Sequence, residues 1–395
     1  MNRLKNDLAA RRPYLEPDFS DVEYDRRLAA VRAAMARENL DALIVYCGVG
    51  SYSNVRWLTN FQPIYGAAFV VVRADGGICV AMNGVLHAEP MHSMVWTCRV
   101  ADLRCSAGPV YGSPADEVAT LAADAAGDLH HVGLSGGATI PQQLYAPLLH
   151  RFPDLRAADA IMVEARLIKS AEEIAYMEEA GRIADAAFGD VFAALAPGVT
   201  ETEVAAAAVA KMLEMGAIES FRTCVVGGRL AGLKHAYPRQ RKLEKGEMVF
   251  LDLGASYRGY ASDTSRCRTV GAKAVGAAAG LLSVADDLYR AGLDEIRPGR
   301  TVDDVAQALI RVVRGTEYEK DFYASGFGHG IGMDLFEGPG GLFAGSHAEF
   351  RPGMTFAYEP MVVIEGLGTG VVEDTILITA DGHRLLTDSP RDNWK

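Results

Sequence analysis

The sequence predicts two domains: an α/β domain, then an α+β domain whose two α/β halves face each other across a pseudo-twofold repeat. Three observations carry this. The chain has 395 residues, enough for two full hydrophobic cores. Helical and strand patterns alternate through its first part. In the second part a helix, a Pro-Gly turn and a capped helix occur twice, around Pro197-Gly198 and around Pro298-Gly299.

Composition narrows the class. The chain is 49% hydrophobic and 23% charged, ordinary for a globular protein, and its formal net charge of −12 argues against nucleic acid as the main partner. The first twenty residues lack the apolar stretch of a signal peptide, and no segment is long and apolar enough to span a membrane. Cys47, Cys79, Cys98, Cys105, Cys224 and Cys267 are scattered without a CxxC pair. A disulfide scaffold and a cysteine zinc site are therefore not expected, and a reducing, cytoplasmic location is.

Residues 1–20 read as a peripheral arm and 21–158 as the first domain. Within it, 21–40 has helical spacing and 41–46 (DALIVY) is a strand. Residues 53–61 are a short helix or turn, 66–77 a strand ending in a D-G turn, and 77–84 its returning partner. A strand follows at 96–103, a helix at 114–127, a strand and turn at 130–137, and a helix at 140–153. No GxGxxG or Walker A loop is present.

The second domain is 159–395, with 159–170 as the boundary segment. Residues 171–195 form a long helix, with Glu172, Glu173, Glu178 and Glu179 on its solvated face. Thr200 and Glu203 make a capping box for the next helix, mirrored by Thr301 and Asp304.

Between the two helix pairs lies VFLDLGASYRGYASDTSR, 249–266. It reads as a hairpin that delivers Asp252 and Asp263 from two hydrophobic strands, with Gly254 and Gly259 letting the chain fold back. A solvated turn with two ordinary aspartates is the competing reading of this piece alone. Three later segments decide against it: GFGHGIG carries His329, AYEP carries Glu359, and VVEDT carries Glu373. Unpaired carboxylates in such apolar contexts are expensive, and metal coordination removes the cost. Four carboxylates and one imidazole suit two divalent ions, with Mn²⁺, Fe²⁺, Co²⁺ and Zn²⁺ all compatible.

These segments, with RLIKSAEEIAYMEEA, make the chain resemble the pita-bread metallopeptidases: methionine aminopeptidase, aminopeptidase P, prolidase and the metal-free relative creatinase. The resemblance covers almost the whole chain. It implies a creatinase-like N-terminal domain, a C-terminal pita-bread domain and a dinuclear-metal hydrolase of Xaa-Pro peptides. Position by position, it implies Asp252 on one metal, Asp263 and Glu373 bridging, and His329 and Glu359 on the other. It further implies a metal-bridging hydroxide that attacks the amide carbonyl, Glu359 as general base, and His235 as the substrate-side histidine that stabilises the oxyanion.

Two positions depart from the family pattern. Peptidases of the family usually carry histidine seven residues after the ligand histidine, where this chain has Phe336. Aminopeptidase P and prolidase usually carry arginine two residues before the last glutamate, where this chain has Val371. An intact metal set inside an altered substrate shell also fits hydrolysis or lysis of a small non-peptide C–N compound, such as a cyclic amidine or N-acyl amino acid. A catalytically inactive binding protein is a third reading, and the intact ligand set argues against it. Arg56, Trp57 and Tyr65 lie in a region that in two-domain relatives faces a cleft, commonly the partner subunit's. A homodimer and substrate contacts from these residues are expected on that basis, with a core role the competing reading of Trp57. His87 and His92, flanking Pro90, could also reach a cleft.

Overall fold

The computed structural model describes residues 18–48, 52–63, 66–82, 98–106, 115–232 and 236–391. The chain divides into two compact units, Met1–Arg166 and Leu167–Lys395. Tyr65, His87, His92 and His235, singled out above, lie outside the described residues.

The first unit is built on one mixed sheet. Its elements are α1 (Asp21–Arg37), β1 (Ala42–Cys47), α2 (Ser53–Thr59), β2 (Ala68–Arg73), β3 (Ile78–Met82), β4 (Asp102–Cys105), α3 (Ala115–Ala126), β5 (Val132–Ser135), α4 (Gln142–Arg151), β6 (Arg156–Ala157) and α5 (Asp159–Leu167). The strand order is β4-β3-β2-β1-β5-β6. β1, buried at every residue, pairs antiparallel with β2 and parallel with β5. A continuous apolar run of this kind marks a strand covered on both faces. α1 starts where the Ser20 side chain accepts from the Glu23 amide. Arg27, fully buried, donates to Glu23 and to the Trp57 carbonyl and lies against the rings of Phe19, Tyr24 and Trp57. Trp57 is thus a core residue, 1% exposed. Arg56 pairs with Asp18 at 2.8 Å and with Gln62 at 3.0 Å.

One expectation for this stretch changes, and the boundary segment gains a structure. The strand placed at 96–103 begins at Asp102, where parallel pairing with β3 starts at Cys79↔Asp102. The boundary segment is helix over Asp159–Leu167, because Ile161, Met162 and Ala165 recur at helical spacing and are buried.

The second unit opens with α6 (Ala171–Ala194) packed on α7 (Glu201–Glu214). It continues through β7 (Ile218–Glu219), β8 (Cys224–Gly227), β9 (Met248–Leu253), β10 (Ala255–Tyr257), β11 (Tyr260–Ala261) and β12 (Thr264–Thr269). The second helix pair is α8 (Gly276–Leu293) and α9 (Val302–Val313). β13 (Gly328–Gly330), β14 (Glu337–Gly341), β15 (Thr355–Tyr358), β16 (Met361–Ile364), β17 (Gly368–Val371), β18 (Asp374–Ile378) and β19 (His383–Leu385) complete it. The twofold repeat is visible in the backbone. Thr200 and Thr301 each close a reciprocal capping box, and each forms an isolated bridge to a later segment, Thr200↔Lys242 and Thr301↔Glu349. One helix pair is followed by the sheet β12-β9-β8, the other by β14-β13-β15-β18-β19.

The acidic hairpin is not one continuous ribbon. β9 pairs with β12 from Met248↔Thr269 to Leu253↔Thr264, while its tip, β10 and β11, pairs separately and extends to β7. The break is at Gly254, where a Cβ would stand 2.0 Å from the Ser262 carbonyl oxygen. Only glycine admits that approach. The break leaves Asp263 in the gap between β11 and β12.

Glu173 is a second correction in this unit. It is 2% exposed, not on a solvated face: it closes the α6 capping box with Ser170 and accepts the Tyr260 hydroxyl at 2.7 Å.

Candidate metal centre

Strand alternation aims the acidic side chains. On β9 and β12, Asp252 stands opposite Ser265, so their side chains share one face. Glu373 lies between β17 and β18, and its Oε2 accepts the Ser265 hydroxyl. Asp263 is fixed through its backbone: its amide donates to Thr375 Oγ1 at 2.8 Å, and that hydroxyl donates to the Asp263 carbonyl at 2.8 Å. His329 lies on β13 opposite Ala357 of β15. Gly328 before it has φ +144° and packs where a Cβ would meet the Ala357 carbonyl at 2.2 Å. Glu359 follows β15 directly.

These elements bring one ligand atom each from Asp263, His329 and Glu373 within 4.8 Å of one another, all three residues buried. His329 Nε2 is 3.5 Å from Asp263 Oδ2 and 4.0 Å from Glu359 Oε1. His329 Nδ1 donates to the Gly330 carbonyl at 3.1 Å. That bond places the ring proton on Nδ1 and turns the Nε2 lone pair toward the carboxylates, the usual orientation of a metal-binding imidazole.

The electrostatics are those of a cation site. Burial first, then the Glu359 charge, pushes the Asp263 carboxyl well above the usual range, against hydrogen bonds from the Thr264 backbone and the Asp252 side chain. Burial, then Asp263, Glu359 and Asp252, does the same to Glu373, against the Ser265 hydroxyl. Asp263 Oδ1 is buried without a hydrogen-bond partner among the described residues. Such a cluster is stable with its charges only if cations sit among them. An oxygen-rich set with one imidazole fits a hard or borderline divalent ion.

Behind this face the strands alternate into a second layer. Arg266 and Asp374, each one residue past Ser265 and Glu373, pair at 2.9 Å with both side chains 0% exposed. Arg266 also donates to the carbonyls of Ser265, Glu373 and Ser389, and Asp374 accepts from Tyr289 and Thr387. Of these residues only Ser265, two after Asp263, is signalled in the sequence by the strand period; the pairing of Arg266 with Asp374 joins positions 108 residues apart and has no local signal.

The two departures from the family pattern lie in different places. Phe336 is 68% exposed, and its ring centre is 4.2 Å from that of His329. It lies in a turn held by Glu337, which accepts the Asp334 amide at 3.0 Å and pairs with Lys169 at 2.9 Å, both partners' side chains buried. Val371 is 1% exposed, pairs with Met361 on β16 and belongs to the hydrophobic core.

The fold and this cluster agree with the comparisons. Residues 175–380 match metallopeptidase family M24, and residues 27–168 match the creatinase/prolidase N-terminal domain. The chain belongs to metallopeptidase family M24. It is 37% identical over 228 residues to the uncharacterized peptidase YqhT of Bacillus subtilis, a match spanning 58% of this chain and 64% of that protein. It is 29% identical over 241 residues to the Xaa-Pro dipeptidase of Pyrococcus furiosus, spanning 60% of this chain and 68% of that protein. Among solved structures, dipeptidase PepE from Mycobacterium ulcerans superposes with a TM-score of 0.81 at 26% identity, covering 94% of this chain and 98% of that one. The prolidase from Pyrococcus horikoshii OT3, at 23% identity and a TM-score of 0.81 over 93% of this chain and 99% of that one, shares the fold. Family membership and the ligand cluster together support a metal-dependent hydrolase acting on peptide-like substrates. Among the described residues, no helix is long and apolar enough to cross a membrane.

Proposed function

We propose that the chain is a dinuclear-metal hydrolase that cleaves an amide bond in small Xaa-Pro-type peptides. The observation that carries this is the convergence of Asp263, His329 and Glu373 within 4.8 Å, with Glu359 Oε1 at 4.0 Å from the imidazole. Asp252, Asp263, His329, Glu359 and Glu373 would hold two divalent ions, Mn²⁺, Co²⁺, Fe²⁺ or Zn²⁺. Such ions supply Lewis acidity and lower the pKa of water. Glu359 is the carboxylate assigned to move the proton, because it is the least buried of the cluster, with a side chain 19% exposed. Ser265 orients Glu373, and the Gly330 carbonyl orients His329. His235 is assigned to the substrate carbonyl. The reading includes a cytoplasmic homodimer, with Arg56 and Tyr65 toward the partner's site and Trp57 in the core.

A second reading keeps the metal chemistry and changes the substrate to a small non-peptide C–N compound. It is favoured by Phe336, an exposed aromatic ring on the imidazole, and by Val371, which offers the site no charge.

The test loads metal-free protein with each ion and assays Xaa-Pro dipeptides and tripeptides beside cyclic amidines and N-acyl amino acids. Xaa-Pro turnover that Asp263→Ala abolishes supports the first reading. Turnover confined to the non-peptide set supports the second. Absence of bound divalent metal in elemental analysis of the purified protein overturns both.

A further inference from the structure

Two carboxylates of the cluster come from different half-repeats and are tied to each other through the main chain. Asp263 directly precedes β12, and Glu373 directly precedes β18. Thr375, two residues past Glu373, holds the backbone of Asp263: its hydroxyl accepts from the Asp263 amide and donates to the Asp263 carbonyl, each at 2.8 Å. Thr264, the residue after Asp263, returns the contact, and its hydroxyl donates to the Glu373 carbonyl at 2.9 Å. Both threonines are wholly buried. The spacing of the two carboxylates is therefore set by backbone as well as by side-chain rotamers.

Both ties lead on to one residue outside the cluster. After β19 the chain continues as a strap in which Leu386, Thr387 and Ser389 are buried while Asp388 and Pro390 are exposed. The Leu386 amide donates to the Thr375 carbonyl at 2.7 Å, and the Thr387 hydroxyl accepts from the Thr375 amide at 3.0 Å. The same hydroxyl donates to Asp374 Oδ1 at 2.9 Å, the oxygen that pairs with Arg266. Arg266 in turn donates to the Glu373 carbonyl. One hydroxyl thus heads two hydrogen-bonded routes, through Thr375 to Asp263 and through Asp374 and Arg266 to Glu373. A hydroxyl has a single proton to give, and here Asp374 takes it while a lone pair receives the Thr375 amide. Valine has the same shape and can do neither.

The strap is fastened a second time, on α6. The Asp388 amide and the Ser389 hydroxyl donate to Asp185 at 2.8 and 2.6 Å, and Gly181 admits the Leu386 carbonyl where a Cβ would clash. These contacts hold the strap without including Asp263, Glu373 or their backbones. The two hydroxyls therefore separate two tasks: that of Ser389 fastens the strap, and that of Thr387 joins it to the cluster.

We propose that Thr387 is a positioning residue for the metal centre, fixing the separation of the Asp263 and Glu373 carboxylates through Thr375 and through the Asp374–Arg266 pair. This rests on the reading of the cluster as a metal site.

The test uses Co²⁺ as the probe. Metal-free wild type, Thr387→Val, Thr387→Ser and Ser389→Ala are titrated with Co²⁺. The visible spectrum of the bound ion reports the arrangement of its ligands, and competition with a chelating dye reports its affinity. Thr387→Val should bind Co²⁺ about 10-fold more weakly, the lower end of what loss of a partner of a metal ligand costs, and with an altered spectrum. Thr387→Ser keeps the hydroxyl and should restore both affinity and spectrum. Ser389→Ala should lower the unfolding midpoint of the metal-free protein while leaving Co²⁺ affinity and spectrum at wild type, the signature of a residue that only fastens the strap. Thr387→Val with wild-type affinity and spectrum, or Ser389→Ala losing as much affinity as Thr387→Val, overturns the proposal. If Thr387→Val does not fold, Thr387→Ala carries the same expectation and the same refutation. A wild type that takes up no Co²⁺ overturns the metal reading and this proposal with it, whereas uptake that loss of the Thr387 hydroxyl leaves unchanged overturns the role of Thr387 alone.

Discussion

Arg266 and Asp374 form an ion pair at 2.9 Å with both side chains wholly buried, one residue behind the two positions where Ser265 meets Glu373. The same two strands thus present a site on one face and a paired charge on the other. Because Arg266 also donates to the Glu373 carbonyl, the pair fixes the backbone that aims a candidate ligand.

Removing one partner should therefore damage both stability and the site. Arg266→Met leaves Asp374 buried beside only Tyr289 and Thr387 as donors named here, and is expected to cost about 3–5 kcal/mol in denaturant unfolding. Metal affinity, measured by competition with a chelating dye, should fall in the same variant. Arg266→Met combined with Asp374→Leu should recover much of the stability but not the metal affinity. Additive losses of stability in the double variant would contradict this account.

Phe336 gives a different signature. As an exposed ring it contributes little to folding, so Phe336→Ala should leave the unfolding midpoint within about 0.5 kcal/mol of wild type. As a proposed substrate contact it should contribute about 1 kcal/mol to binding, so that Phe336→Ala raises KM roughly fivefold. Lys169→Met removes the buried partner of Glu337, the next residue, and should move KM in the same direction while also lowering stability. The two KM effects should not add, since both act through one ring. Full additivity in the double variant would separate Lys169 from Phe336.

Asp185 on α6 provides a pH signature away from the metal face. It accepts from the Asp388 amide and from the Ser389 hydroxyl at 2.6 Å, yet burial outweighs these donors and raises its pKa. A carboxyl raised in the folded state favours folding most below its unfolded pKa, and that contribution is lost as pH rises through the folded value. Each unit of the displacement corresponds to about 1.4 kcal/mol. Asp185→Asn cannot titrate. The Tm of the metal-free variant should gain on wild type as pH rises from about 4 to about 7. A constant Tm difference across that range would remove Asp185 as the source.

The acidic residues of the candidate site stood out in the sequence because each sits in an apolar strand context that makes an isolated charge improbable on energetic grounds: LDLG, AYEP, VVED. The capped helices were legible because a capping box is a local device, complete within four residues. What escaped were arrangements set at long range. The break at Gly254 depends on how closely Ser262 approaches, not on the turn residues alone. Glu173 read as solvated because nothing near it in sequence announces Tyr260, 87 residues on, as its partner.

The closing contacts of the second unit carry a consequence for biosynthesis. Asp252 and Asp263 come from the first half-repeat, Glu373 from near the end of the second, and Arg266 reaches further still, to the Ser389 carbonyl at 2.7 Å. On a ribosome the early carboxylates emerge well before the residues that complete and brace their site. A chain that ends before Glu373 holds only part of the candidate ligand set, and one that ends before Ser389 lacks the carbonyl that braces Arg266.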